Sequence, residues 1–299
     1  MADLPVTGRG RRAGPVEASE AWRSFRFAAW LGWQITSNWT DPLLFAIYSI
    51  VRPVARAAIL VIMYGVITGN NFTDPLFPYI FLGNAFYTYV FSIMNGVSWA
   101  VIDDREHYHT LKYMYIAPIR IPAYLLGRGV AGFLTASLSV LITILAGVLF
   151  LHVTFDPLQA DWLLFAVTMV IGVIMLALMG LVLGAISLLI VRHSGFIAES
   201  VSGVLFLFSG AIYPLDVLPA WLQPVGFAMP ITYWLELVRR SLIGDVAQVF
   251  PTLARFSNLE LLGILVGLSV LFGVVSVYTF RLCDRRARER GLIDRVTNY

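Results

Sequence analysis

Long, almost uncharged apolar runs alternate along this chain with short stretches that hold nearly all of its charge. A helix needs about 20 mostly apolar residues to cross the hydrocarbon core of a bilayer, and several runs reach that length. They predict spans over about 51–67, 78–101, 123–151, 162–190, 200–213 and 259–280. The first has Arg52 and Arg56 on one face of its opening turns, where both can snorkel to the inner head groups. The fifth is short and rich in Gly and Ser. A membrane β-barrel would show short alternating segments instead, and none is found. Ahead of the spans, Trp22, Phe25, Phe27, Trp30, Leu31, Trp33 and Ile35 mix with Arg23 and Arg26 over 21–40. That is the pattern of an amphipathic helix lying in the interface. Residues 1–20 carry Arg9, Arg11 and Arg12 with no apolar run directly after them, which predicts a cytoplasmic tail rather than a cleavable signal.

Basic residues set the orientation, because cytoplasmic loops keep Lys and Arg while short translocated loops lose them. The loops at 69–77 and 152–161 have none, whereas the N-terminal tail, the 102–122 loop, the loop with Arg192 and the tail at 284–299 all do. Both termini are therefore expected in the cytoplasm, with an even number of spans in a transmembrane region over 41–283. The stretch from 214 to 258 would then lie outside although it holds Arg239, Arg240 and Arg255. Pro214, Pro219, Pro224 and Pro230 rule out one continuous helix there. Two short helices entering and leaving the outer leaflet, a re-entrant hairpin over about 214–240, fit better, since irregular backbone is tolerated at that depth where protein covers it. The expected fold is all-α: six transmembrane helices, an N-terminal interfacial helix and a re-entrant helical hairpin before the last span.

Composition agrees with a membrane assignment. With 299 residues, 59% of them hydrophobic and 13% charged, and a mean hydropathy of +0.78, a single soluble core would not absorb the apolar surface. The net charge of +3 comes almost wholly from arginines beside the spans, Lys112 being the only lysine. Their placement argues for anionic membrane lipids as partners and against nucleic acid. Cys283 stands alone, so no internal disulfide forms. The four histidines have no cysteine or carboxylate at metal-ligand spacing, and no clustered acid and base suggests catalysis.

Gly127-Arg128-Gly129-Val130-Ala131-Gly132 formally matches a dinucleotide fingerprint, but it opens an apolar span and follows no strand. The pairs Gly180 and Gly184, and Gly263 and Gly267, have the spacing that lets helices pack closely, and packing within the chain is the expected use. No P-loop sequence occurs, so the chain does not bind ATP that way.

The densest charge lies in Asp103-Asp104-Arg105-Glu106-His107-Tyr108-His109-Thr110-Leu111, between two spans and ahead of Ala117-Pro118-Ile119-Arg120 and Tyr124-Leu125-Leu126-Gly127-Arg128. Downstream come Ser209-Gly210-Ala211-Ile212-Tyr213-Pro214-Leu215, Leu218-Pro219-Ala220-Trp221-Leu222 and Pro230-Ile231-Thr232-Tyr233-Trp234-Leu235-Glu236 with Arg239. Together these segments resemble the ABC-2 family of ATP-binding-cassette transporter permeases. The resemblance implies a permease subunit exporting an amphipathic small molecule or lipid, or, as in other members, a polysaccharide or glycolipid. It implies a homodimer of permeases with two copies of an ATPase subunit, which would hold the ATP and Mg. It places a coupling helix at about 102–112, with Asp104, Arg105, Glu106, His107, Tyr108, Thr110 and Leu111 facing the ATPase; the family more often has a glycine before the threonine, where this chain has His109. It puts the substrate route beside the first, second and fifth spans, making Asn84, Tyr87, Asn95 and Ser209 candidates for lining it. Pro214, Pro230, Glu236 and Arg239 match the re-entrant segment, and the residues themselves favour an ion pair of Glu236 with Arg239 and Arg240 over a substrate contact. An ion-coupled secondary transporter is the rival reading from another class, although no internal repeat supports it.

Overall fold

The protein is represented by a computed structural model that describes residues 15–37, 42–69, 71, 72, 74–151, 158–190, 194–244 and 251–293. Arg192 and the side chains of Arg52 and Arg56 lie outside the described residues. Every regular element among those described is helical: α1 (Pro15–Ser37), α2 (Pro42–Thr68), α3 (Leu76–Ile102), α4 (Leu111–Ile116), α5 (Ile121–Leu151), α6 (Trp162–Leu189), α7 (Ser194–Phe208), α8 (Gln223–Phe227), α9 (Pro230–Ile243), α10 (Pro251–Ala254) and α11 (Asn258–Glu289). A π-helical turn (Asp103–His107) extends α3, and a 3₁₀ turn (Leu215–Val217) precedes α8. Among the described residues, four helices are long and apolar enough to cross a bilayer: α3 with its extension, α5, α6 and α11. α2 has 27 residues and α7 has 15.

α3 is the hub, packing on α5, α6, α7 and α9. Phe81, Phe86, Val90, Ile93, Met94, Val97, Ala100 and Val101 bury almost all of its circumference. α5 and α11 behave differently, exposing Leu141, Leu145 and Leu149, and Val270, Val274 and Tyr278. Lipid tails are as apolar as leucine, so such faces carry no cost in a bilayer.

Small residues let these helices approach. A Cβ on Gly180 of α6 would stand 3.0 Å from the Val97 Cβ and 3.1 Å from the Met94 Cα of α3. The 127–132 stretch does the same for α5. A Cβ on Gly127 would come within 2.9 Å of the Ala28 Cβ on α1, and one on Gly132 within 2.9 Å of the Ser92 carbonyl carbon on α3. The fingerprint-like sequence is thus a stripe for helix crossing. Gly263 and Gly267 depart from the expectation: a Cβ on either would meet nothing within 4 Å, so this pair packs against no part of the described chain.

Several boundaries shift. The interfacial helix expected at 21–40 runs from Pro15 to Ser37 and lies along the first turns of α5. The fifth apolar helix, expected at 200–213, is α7 and ends at Phe208, because Gly210 takes a φ of 73° and turns the chain. The last helix continues past Phe280 to Glu289, since Arg281 to Glu289 contains no helix breaker and Arg285 pairs with Glu289 one turn on. The proline-broken stretch forms short helices as its sequence demands. Thr232 Oγ1 donates to the Gly226 carbonyl (2.8 Å) and Tyr233 Oη to the Phe227 carbonyl (2.8 Å), which fixes the bend between α8 and α9. α9 itself is buried over nearly its whole length, against α3, α6 and α11.

Candidate functional site

The charged connection after α3 is a braced corner rather than a free loop. Its helix widens into the π turn, closed by the Tyr108 N–H donating to the Asp103 carbonyl (2.8 Å), and the Asp104 carbonyl then accepts from the Thr110 N–H (2.8 Å) before α4 starts. Between them His109 adopts a φ of 52°, the left-handed region. Most side chains resist that conformation, at a cost of about 1–2 kcal/mol that glycine avoids, so the glycine that the resemblance leads one to expect here would fit this backbone better than His109. His109→Gly is accordingly expected to keep the corner and to raise thermal stability by up to about 1 kcal/mol, read as an upward shift of the unfolding midpoint in detergent.

Arg105 holds the corner to α6. Its guanidinium donates to the carbonyls of Ser187 (2.9 Å) and Ile190 (3.2 Å) and to Glu106 Oε1 (2.8 Å). The last carbonyls of α6 have no partner within their own helix, so the arginine caps them and meets the negative end of the helix dipole. Arg128 braces the corner from α5. It lies 3.5 Å from Asp103 Oδ2 and 3.5 Å from Asp104 Oδ1, and donates to Tyr124 Oη (3.2 Å). α4 is tied to α11 by Tyr115 Oη donating to Asp284 Oδ1 (2.7 Å), with Arg288 pairing Asp284 at 2.9 Å and standing 4.7 Å above the Tyr115 ring. Burial, with Asp284 beside it, holds the Tyr115 hydroxyl above the usual tyrosine range, so it stays a donor.

The residues expected to face a partner thus divide. Asp104, Arg105 and Leu111 are buried inside the chain, and Glu106 is largely covered. Asp104 and Arg105 are occupied with bracing, because a buried charge needs internal partners. His107 and Tyr108 point outward, together with Tyr113 and Ile116 of α4, which the sequence did not single out; Ile116 is 84% exposed. Thr110 is half-buried and its hydroxyl approaches the Asp104 carbonyl (3.4 Å).

The other end of the bundle has a second ionic cluster, centred on α9. Arg239 is 1% exposed. It donates to the carbonyls of Tyr79 (3.0 Å), Gly210 (2.8 Å) and Ala211 (3.3 Å), and its guanidinium carbon lies 3.6 Å from the centre of the Tyr79 ring. It thereby clamps the start of α3 to the turn after α7. Glu236 pairs more closely with Arg240 (3.0 Å) than with Arg239 (4.0 Å). Arg240 in turn donates to the carbonyls of Leu253 (2.8 Å) and Phe256 (2.7 Å) and to Asn258 Oδ1 (3.2 Å) at the start of α11. The Asp161 N–H bonds the Ser241 carbonyl (2.8 Å) ahead of α6. α9 is therefore the piece that gathers one end of α3, α6 and α11. Of the two prolines singled out, Pro230 opens α9, and Pro214 lies in the turn below it, lining a small cavity with Glu236, Arg239 and Ser209.

Of the four pathway candidates, Tyr87 donates from its hydroxyl to the Ser202 carbonyl (2.5 Å) and Asn95 from Nδ2 to Ser202 Oγ (3.3 Å). Both are joints between α3 and α7, the ordinary role of polar groups within spans. Ser209 Oγ and Asn95 Oδ1 are buried with no hydrogen-bond partner among the described residues, while Asn84 is half-buried on α3. Asp103, Tyr124, Ser187, Ser202 and Tyr79 were missed as site members. Arg128 carried a signal, a lone charge inside an apolar run, which at membrane depth needs an acidic partner.

Long apolar helices joined at both ends by buried ionic clusters define an integral membrane protein whose spans are fastened to one another rather than simply bundled. The profile of the ABC-2 type transporter family matches residues 26–243, covering the α1–α5 crossing, the braced corner and the α9 clamp, and the chain belongs to that family. It is a permease, the membrane subunit type that normally pairs with an ABC ATPase subunit. None of the curated proteins matches the chain.

Proposed function

We propose that this chain is the transmembrane subunit of an ATP-driven exporter that moves an amphipathic small molecule or lipid out of the cytoplasm or inner leaflet. The observation that carries this reading is the exposed edge of His107, Tyr108, Tyr113 and Ile116, mounted on a corner whose ionic groups tie it to α5, α6 and α11. In this reading α2, α3, α5, α6, α7 and α11 are the six spans, both termini and the corner face the cytoplasm, and α8 with α9 forms the re-entrant element in the outer leaflet. Two copies of the permease stand against each other, each with one ATPase subunit on its corner. ATP and Mg bound between the ATPase subunits draw them together. A corner fastened to three spans transmits that displacement as one body, and ATP shifts the equilibrium only because it favours the closed ATPase arrangement.

The test places a single cysteine at Tyr108 in a Cys283→Ala background and adds a short cross-linker to native membranes. The expected result is one adduct between the permease and a P-loop subunit, with ATPase activity in the purified complex. Recovery of the permease with no P-loop subunit, under conditions that preserve membrane complexes, would move the reading to an ion-coupled transporter.

A further inference from the structure

A cavity of a different kind lies beside the braced corner, which shares Tyr124 with it. It is a cleft of about 820 Å³ between α1 and the connection from α4 to α5, lined by Trp22, Arg23, Arg26, Phe27 and Trp30 on one side and floored by Tyr124. Its walls are fixed. The Arg120 N–H donates to Ser24 Oγ (3.1 Å), which ties α1 to the connection, and α1 crosses α5 where Gly127 admits Ala28. That crossing falls within the opening turns of α5, at the charged end of the spans, so the cleft sits at head-group depth.

Its chemistry is divided by position. Among the described lining residues the acid is Glu20, which lies 3.7 Å from Arg120. Arg23 and Arg26 make no ion pair or hydrogen bond with any described residue. Trp22, Phe27 and Trp30 are each more than half exposed beside them. Two guanidinium groups with no ion pair among the described residues suit a phosphate, which accepts paired N–H donors. Exposed indoles next to them suit the acyl region just below a head group. An acidic protein segment would satisfy the arginines but leave those aromatic faces in water.

We infer that this cleft binds one anionic phospholipid, its phosphate held by Arg23 and Arg26 and its upper acyl chain lying on Trp22, Phe27 and Trp30. The site goes beyond the transport reading. Lipid occupancy is measured without ATP, ATPase subunit or transported substrate, so its failure and that of the exporter reading are separable.

The experiment uses the full chain in lipid nanodiscs of phosphatidylcholine and phosphatidylglycerol at fixed composition, with bromine carried on the acyl chains of one lipid or the other. Bromine quenches tryptophans in van der Waals contact, and the Trp22→Phe/Trp30→Phe variant isolates the part due to these two. Brominated phosphatidylglycerol is expected to be preferred at them by about fivefold or more, the factor one arginine contributes near an anionic surface. Arg23→Gln/Arg26→Gln is expected to abolish the preference and Arg23→Lys/Arg26→Lys to retain most of it. Both arginines are exposed, so neither change threatens the fold. Equal quenching by the two lipids in the parent chain, or a preference that survives in the glutamine variant, would overturn the assignment. So would loss of the ATPase subunit from the glutamine variant with no lipid preference in the parent, which would give the arginines to a protein partner.

Discussion

Arg239→Met is expected to destabilise the permease by about 3–5 kcal/mol, the range for breaking a buried hydrogen-bonded ion cluster from one side. The methionine fills much of the volume but donates nothing. The carbonyls of Tyr79, Gly210 and Ala211 lose their donor, and Glu236 is left with Arg240 alone. Space is equally specific, because a Cβ on Gly83 would collide with the guanidinium. Arg239→Lys keeps the charge and offers a single ammonium where a planar fork reached three acceptors, so it should recover only part of the loss. Thermal unfolding in detergent, followed by size-exclusion fluorescence, checks both variants. A midpoint for the methionine variant within about 2 °C of the parent would mean that the clamp contributes little to stability.

Arg105→Ala with Glu106→Ala is expected to leave the permease in the membrane while cutting recovery of the ATPase subunit at least tenfold, equivalent to about 1.4 kcal/mol of lost association. Removing both residues avoids stranding the Glu106 carboxylate beside an empty space. The buried carbonyl of Ser187 and the part-buried carbonyl of Ile190 lose their donor, a loss of two acceptors against three in the α9 clamp. What disappears is the strut that holds the exposed edge of Tyr108 in place. Co-purification with quantitative mass spectrometry gives the readout, and Arg105→Lys should fall between the double variant and the parent. Undiminished ATPase recovery by the double variant would mean that the partner does not rely on this corner.

The buried ion pair on α9 was legible as residue types at helical spacing, Glu236 with Arg239 and Arg240, but not as a set of assignments. Sequence offered both arginines to one carboxylate. The structure gives Glu236 mainly to Arg240 and frees Arg239 for carbonyls on α3 and the turn after α7. Likewise, the 102–112 segment was recognisable as charge beside a span, and the inward direction of Asp104 and Arg105 was not. Direction around a helix depends on the π turn, which resets the register of every residue after Ile102.

By itself the sequence determined what hydropathy and backbone chemistry determine locally. It placed the long apolar helices, the tryptophan-rich helix before them, the proline-broken stretch after the fifth apolar run and one close crossing, at Gly180. Each of these follows from side chains within a few turns of one another. Tertiary structure decided which helices the glycines admit, where α7 stops, that Gly263 and Gly267 stay open, and which partners the buried arginines take. Arg105 meets a carbonyl 82 residues away and Arg239 one 160 residues away. A charge inside an apolar bundle must find its counterpart wherever helix crossings bring one within reach, and that geometry is a property of the assembled bundle and not of any segment.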